Sequence, residues 1–288
     1  MALSRFPTLF APRAADSHKG SFGTLAVIGG AVGMSGALVL AGSAALLSGC
    51  GRVFAAFCQE KLPLPWIAEY PEIMLATSET VFAHSAITCW AAGCGMGTEE
   101  HTGTTLSRLI RHCHERRQPL VLDADALNML ALRPALTHQL AKTDALKILT
   151  PHPGEAARLL NTNIAAIQRQ RVDHARILAE QYGAWVVLKG WESVIATPSG
   201  EYVVNDSGNA ALATAGSGDV LTGMIAAFVA QGIPAQEAVC GAVWLHGHAA
   251  DEYCCDGVPL AGLLAGEIAR KARSIRQRLS ALAQHSQT

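Results

Sequence analysis

The strongest constraint on this chain is a repeated unit: a short apolar run that stops at glycine, proline or an acid, followed by a stretch with helical character. "GTLAVIGG" (23–30) leads into "MSGALVLAGSAALLSG" (34–49). "ALKILTPHPGEAARLL" (145–160) passes from strand through a proline-rich turn into a helix. Further strand-like runs lie at 51–57, 72–76, 86–93, 119–125 and 184–190. Further helical stretches lie at 104–116, 163–182, 234–251 and from 259 to about 283. Apolar strands alternating with helices imply a mostly parallel sheet covered on both faces. "SVIATPSGEYVVN" (193–205) reads as a hairpin turning at Pro198, Ser199 and Gly200. The expected class is α/β, with a mostly parallel central sheet and helices on both faces. No repeat or linker divides the chain, so residues 1–288 are expected to form one domain. Ligands of such sheets bind at the carboxyl ends of the strands, where the glycine turns gather.

Bulk composition removes several function classes. Half the residues are hydrophobic, 16% are charged, and the formal net charge is −1. A nucleic-acid footprint needs a basic patch. The basic clusters at 111–117 and 270–278 read instead as solvated helix faces. No apolar tract reaches the roughly 20 residues of a membrane span, and the N-terminus lacks a secretory apolar region. The eight cysteines contain no C-x-x-C pair or zinc spacing. Most sit in apolar runs, as small buried hydrophobes do, in a reducing cytoplasm, and the vicinal Cys254–Cys255 pair reads as plain thiols rather than a redox pair. Low charge and many small apolar helices lead us to expect a homo-oligomer, with a tetramer among the candidates.

Several motifs carry chemistry, each with a simpler reading beside it. "GGAVGMSGA" (29–37) departs from the G-x-G-x-x-G fingerprint and has no G-K-[ST], so alone it is a tight turn. "GCGMG" (93–97) lets backbone approach a ligand or merely turns the chain. In "DADALN" (123–128), Asp125 is expected to cap a helix starting at Ala126, which leaves Asp123 for a site. "TPHPGE" (150–155) fixes His152 between two prolines, and Glu155 suits the first turn of the next helix. Lys189 ends a strand before Gly190, where a phosphate partner fits. "AGSGDVLTG" (215–223) is the most specific. Gly216, Ser217 and Gly218 suit an anion nest at a helix start. Asp219 beside them is either a helix cap or a base that takes a proton from an attacking hydroxyl.

Taken in order, "HKGSFGTLAVIGG", "GMSGA", "PEIM", "DADALN", "LTPHPGE", "LKG", "VIATPSG" and "NAALATAGSGDVLTGMIAAFVAQG" resemble the ADP/ATP-dependent NAD(P)H-hydrate dehydratases of the ribokinase-like superfamily. The resemblance runs from about residue 18 to residue 250. It implies one ribokinase-like catalytic domain, without the epimerase domain that many members carry ahead of it. It implies repair of NADH or NADPH that has added water at ring carbon 6, with ADP or ATP as co-substrate, ADP preferred, and Mg²⁺ as cofactor. It implies that Ala37, Gly95, Gly97, His152 and Asp219 contact the hydrated dinucleotide, with Asp219 as the base. It further implies that Lys189, Gly190, Trp191, Glu192, Ser193, Gly216, Ser217 and Gly218 hold the adenine nucleotide. It assigns no metal ligand, although Glu155 is placed to hold a metal-bound water. A separate epimerase is the implied working partner. Cys94 and Met96 stand where the family usually shows proline and leucine, and Trp191 and Glu192 where small residues are common. The competing readings are a vitamin or sugar kinase of the hydroxyethylthiazole type, and a catalytically silent nucleotide-binding protein. "TPHPGE" and "HKGSFG" argue against the first, the intact Asp219 against the second.

Overall fold

Each apolar run forms a strand. The computed structural model describes residues 2–254, 258 and 261–285. From the N-terminus the elements are α1 (Ala2–Arg5), β1 (Thr24–Gly29), α2 (Ser35–Leu47), β2 (Arg52–Phe57), β3 (Met74–Thr77) and β4 (Cys89–Ala92). Next come α3 (Glu100–Arg116), β5 (Leu120–Leu122), α4 (Ala124–Leu132), α5 (Pro134–Ala141), β6 (Lys147–Leu149), α6 (Pro153–Leu159), α7 (Ile164–Arg169) and α8 (Arg171–Tyr182). The chain continues through β7 (Trp185–Leu188), β8 (Val194–Ala196), β9 (Tyr202–Val204), α9 (Ser217–Ala230), α10 (Ala235–Asp251) and α11 (Ala265–His285).

The strands form one nine-stranded sheet in the order β3-β2-β1-β4-β5-β6-β7-β8-β9. Strands β1 to β7 run parallel, while β8 and β9 turn back antiparallel as the expected hairpin. One face packs against α2, α9, α10 and α11, together with Phe6, Leu9 and Phe10. The other packs against α3 to α8. Strand order reverses between β1 and β4, and a crevice opens at such a reversal. There the Gly30 N–H donates to Cys94 O at 3.0 Å and the Ala31 N–H to Gly95 O at 2.7 Å. Gly29 permits this approach, since a Cβ there would lie 2.2 Å from Cys94 O.

Three expectations change. The helix read at 163–182 is two helices, broken at Gln170, whose φ of −138° and ψ of 56° leave the helical region. The helix expected from Ala126 starts at Ala124, so Asp125 lies in its first turn and is no cap. Arg276 is not part of a solvated face. It is half-buried and donates to Leu9 O at 3.1 Å and Ser48 O at 2.5 Å, closing the C-terminal end of α2. Cys254 is a free, partly exposed thiol, and Cys255 lies outside the described residues. The other six cysteines are buried, as expected of small hydrophobes. No helix among the described residues is long and apolar enough to cross a membrane.

Candidate active site

The site is built around the first turn of α9. Gly216 occupies its N-cap with φ 86° and ψ −4°, a left-handed conformation that suits glycine. The following residues turn right-handed, so the sequence "AGSGD" forms a nest of backbone N–H groups at a helix start. Lys189, at the end of β7, brings its ammonium to the same place: a Cβ on Gly218 would stand 3.2 Å from Lys189 Nζ. A cation and a helix N-terminus repel each other, so together they form a slot for an anion.

Asp123 partly offsets that charge. It is 1% exposed, with Oδ1 2.6 Å from Lys189 Nζ and Oδ2 accepting from Thr222 Oγ1 at 2.7 Å. Burial pulls the Lys189 ammonium down, but Asp123 and Glu155 outweigh it and leave it above its ordinary value. Asp219, half-buried one residue past Gly218, is pushed up to about 6 by burial. The buried Cys94 thiol hydrogen-bonds its carboxylate, and Asp123, Lys189 and Asp125 act on it through space. A carboxyl near 6 is ionised at neutral pH and basic enough to take a proton in a transition state.

His152 has a local duty that its sequence did not reveal. It is the N-cap of α6, with Nδ1 accepting from Gly154 N at 2.9 Å and Glu155 N at 3.4 Å. Glu155 returns the bond, Oε2 accepting from His152 N at 2.8 Å, which completes a capping box. Burial and then the Lys189 charge hold the His152 imidazole below its ordinary value. It is therefore neutral, and Nε2–H faces Glu155 Oε1 at 3.2 Å. Burial pushes Glu155 up to about 7.

The remaining expected residues fall into two groups. Ala37 and Gly95 meet across the β1–β4 crevice: a Cβ on Gly95 would lie 3.1 Å from Ala37 Cβ. Gly97 donates its N–H to Asp125 Oδ2 at 2.9 Å, so Asp125 orders the glycine loop rather than a helix end. On the other side lies a cavity of about 570 Å³. Lys189, Gly190, Trp191, Glu192, Ser193, Ser217 and Gly218 line it, as does His152. Gly216 and Asp219 lie outside that lining, directly flanking Ser217 and Gly218 in sequence. Sequence reading passed over Thr222 and His246, which also touch this region. Thr222 follows Asp219 by three residues, a helical spacing that puts both on one face. Among the described residues no group of three or more His, Cys, Asp or Glu side chains could hold a metal ion. A resident protein cage for Mg²⁺ does not fit this donor set.

An anion nest at a helix start, followed at once by a carboxylate and set over a sheet of this order, defines a ribokinase-like fold. A ribokinase-like superfamily protein from Enterococcus faecalis superposes with a TM-score of 0.82 at 27% identity, over 94% of this chain and 93% of its own. Within that class the chain belongs to the NAD(P)H-hydrate dehydratase family, whose model matches residues 25–272. It is 51% identical to the ADP-dependent (S)-NAD(P)H-hydrate dehydratase of Neisseria meningitidis, over 96% of this chain and 92% of that one. It is 37% identical to the bifunctional NAD(P)H-hydrate repair enzyme of Escherichia coli, over 83% of this chain and 45% of that relative, about half its length. The ADP/ATP-dependent NAD(P)H-hydrate dehydratase of Bacillus subtilis, co-crystallised with ATP/Mg²⁺, matches with a TM-score of 0.81 and 32% identity, over 93% of this chain and 94% of its own.

Proposed function

We propose that this chain is an ADP-dependent (S)-NAD(P)H-hydrate dehydratase, a hydro-lyase acting on NADH and NADPH hydrated at ring carbon 6. The observation that carries this reading is the position of Asp219. It follows Gly218, which lines the cavity with Lys189, and its carboxylate takes a hydrogen bond from the thiol of Cys94, the neighbour of Gly95 in the crevice loop. Asp219 takes the proton from the C6 hydroxyl, whose oxygen attacks the terminal phosphorus of ADP and releases AMP. The nest at 216–218 and the Lys189 ammonium hold the charge on the transferring group. The C6–O bond then breaks with its electrons leaving on phosphate, while the ring nitrogen lone pair supports the carbon and a proton leaves the adjacent carbon. Phosphate, with a second pKa of about 6, is a far better leaving group than hydroxide. Mg²⁺ would arrive on the nucleotide phosphates with water, as this hard cation commonly binds. His152, Gly95 and Gly97 position the hydrate, and 189–193 the adenine nucleotide. An epimerase that inverts C6 would supply the accepted stereoisomer, and both activities belong in the cytoplasm. The test is to mix hydrated NADH with ADP or ATP: return of the near-ultraviolet absorbance of reduced nicotinamide supports the reading, and phosphorylation of a thiazole alcohol without it would replace the reading with a vitamin kinase.

Three expectations follow from the geometry. The acid limb of kcat/KM should fall near pH 6, because Asp219 acts only when ionised and burial sets it at about 6. A rate that is flat from pH 5 to 7 would remove Asp219 from the base role. His152→Ala should raise KM for the hydrate roughly tenfold or more, with little change in KM for ADP. It should also cost about 1 kcal/mol of stability through the lost cap. A kinetic defect confined to ADP would assign His152 to the nucleotide cavity it lines. Finally, sedimentation at micromolar concentration should show a homo-oligomer. Val32 and Trp66 are 85% and 61% exposed, apolar area that a second subunit could cover. A 30 kDa-class monomer would contradict this.

A further inference from the structure

His246 lies in α10, is buried, and lines the nucleotide cavity, yet the reaction above leaves it without a task. Its Nε2 stands 3.0 Å from Ser217 O and 3.3 Å from Ser217 Oγ. A carbonyl oxygen only accepts, so Nε2 carries the ring proton. Burial holds the imidazole down at about 4, so Nδ1 carries none at neutral pH. The single Nε2–H is therefore shared between both oxygens of Ser217. Nε2 then offers no lone pair to the Ser217 hydroxyl, whose proton must point elsewhere. Ser217 is the first residue of α9 and lines the cavity, which puts its hydroxyl where it can donate to an anion bound in the nest.

We propose that His246 is a positioning residue for the nucleotide phosphates: as the Nε2–H tautomer it grips both oxygens of Ser217 and turns the Ser217 hydroxyl proton toward an anion at the start of α9. The identity of that anion as ADP rests on the dehydratase reading; the grip on Ser217 does not. A side chain that merely packed α10 against α9 would need shape and no donor.

Three substitutions separate these roles. Glutamine places an amide N–H about where Nε2 lies, asparagine stops about where Nδ1 lies, and phenylalanine keeps a ring without a donor. ADP binding is measured by calorimetry without hydrate, and KM is measured for each substrate. His246→Phe and His246→Asn should weaken ADP about tenfold, the scale of one hydrogen bond to a charged group. His246→Gln should stay within about threefold, and KM for the hydrate within about twofold throughout. Ser217→Ala should weaken ADP about as much, and adding it to His246→Phe should cost little more, because both remove one interaction. Parent-like ADP binding by a folded His246→Phe protein overturns the proposal. So does a His246→Gln protein as weak as the Asn one, a comparison that holds if the Phe protein does not fold. A parent that binds ADP but dehydrates nothing would sink the functional reading alone; a working dehydratase whose ADP affinity ignores His246 would sink only this proposal.

Discussion

Asp219→Asn should keep ADP binding and lose turnover by roughly 100- to 10,000-fold, the usual effect of removing a general base. The amide preserves shape and leaves the nest at 216–218 in place. What it removes is a carboxylate that burial already pushes up to about 6. The substitution therefore relieves a desolvated charge, and thermal stability should hold or rise slightly, a common exchange at functional positions. Steady-state kinetics and a melting curve on the same preparation check both halves. Near-parent turnover would return Asp219 to the role of a helix-start acid; loss of ADP binding would place its carboxylate in the nucleotide cavity.

Lys189→Met should have the largest effect on stability. It strands the Asp123 carboxylate, 2% exposed in its side chain, with Thr222 Oγ1 as its remaining hydrogen-bond donor. Breaking a buried ion pair from one side costs about 3–5 kcal/mol. For a domain of this size that lowers Tm by roughly 10 °C. Removing both charges, as Lys189→Met with Asp123→Asn, should recover part of the loss, since the penalty comes from the unpaired charge rather than the missing contact. ADP binding should fail in both variants, because the cation of the slot is gone. Equal melting temperatures for the single variant and the parent would show that Asp123 finds compensation the geometry does not reveal.

The parallel sheet was legible because its strands write their own signature: "TLAVIG" and "RVFAAF" are apolar after their first residue, as strands buried on both faces must be. The nest was legible because glycines beside a helical apolar run have few other uses. Adjacency to that nest is what marks Asp219 as the base we propose. What stayed hidden depends on distant pairing. Asp123 and Lys189 are 66 residues apart, and nothing local marks either as the other's partner. Asp125 reads as a cap from sequence, yet the left-handed Ala124 (φ 46°) starts the helix earlier and its carboxylate goes to Gly97 instead. His152 reads as a residue presented to a ligand; the capping box formed with Glu155 follows the S/T-x-x-E pattern with histidine in the first place. His246 sits within an apolar helix, and its partner 29 residues away appears only when α10 crosses the start of α9.

The central claim is that water is removed by way of a phosphate ester, and the fate of one oxygen atom tests it. Hydrated NADH carrying a heavy oxygen isotope in the C6 hydroxyl is converted with ADP, and the products are examined by mass spectrometry. Phosphorylation before elimination requires the labelled oxygen to leave on phosphorus, so inorganic phosphate should carry the label with every turnover and AMP should carry none. Label recovered in water, with unlabelled phosphate, would mean that hydroxide departs directly and would contradict the role assigned to Asp219 and the anion slot.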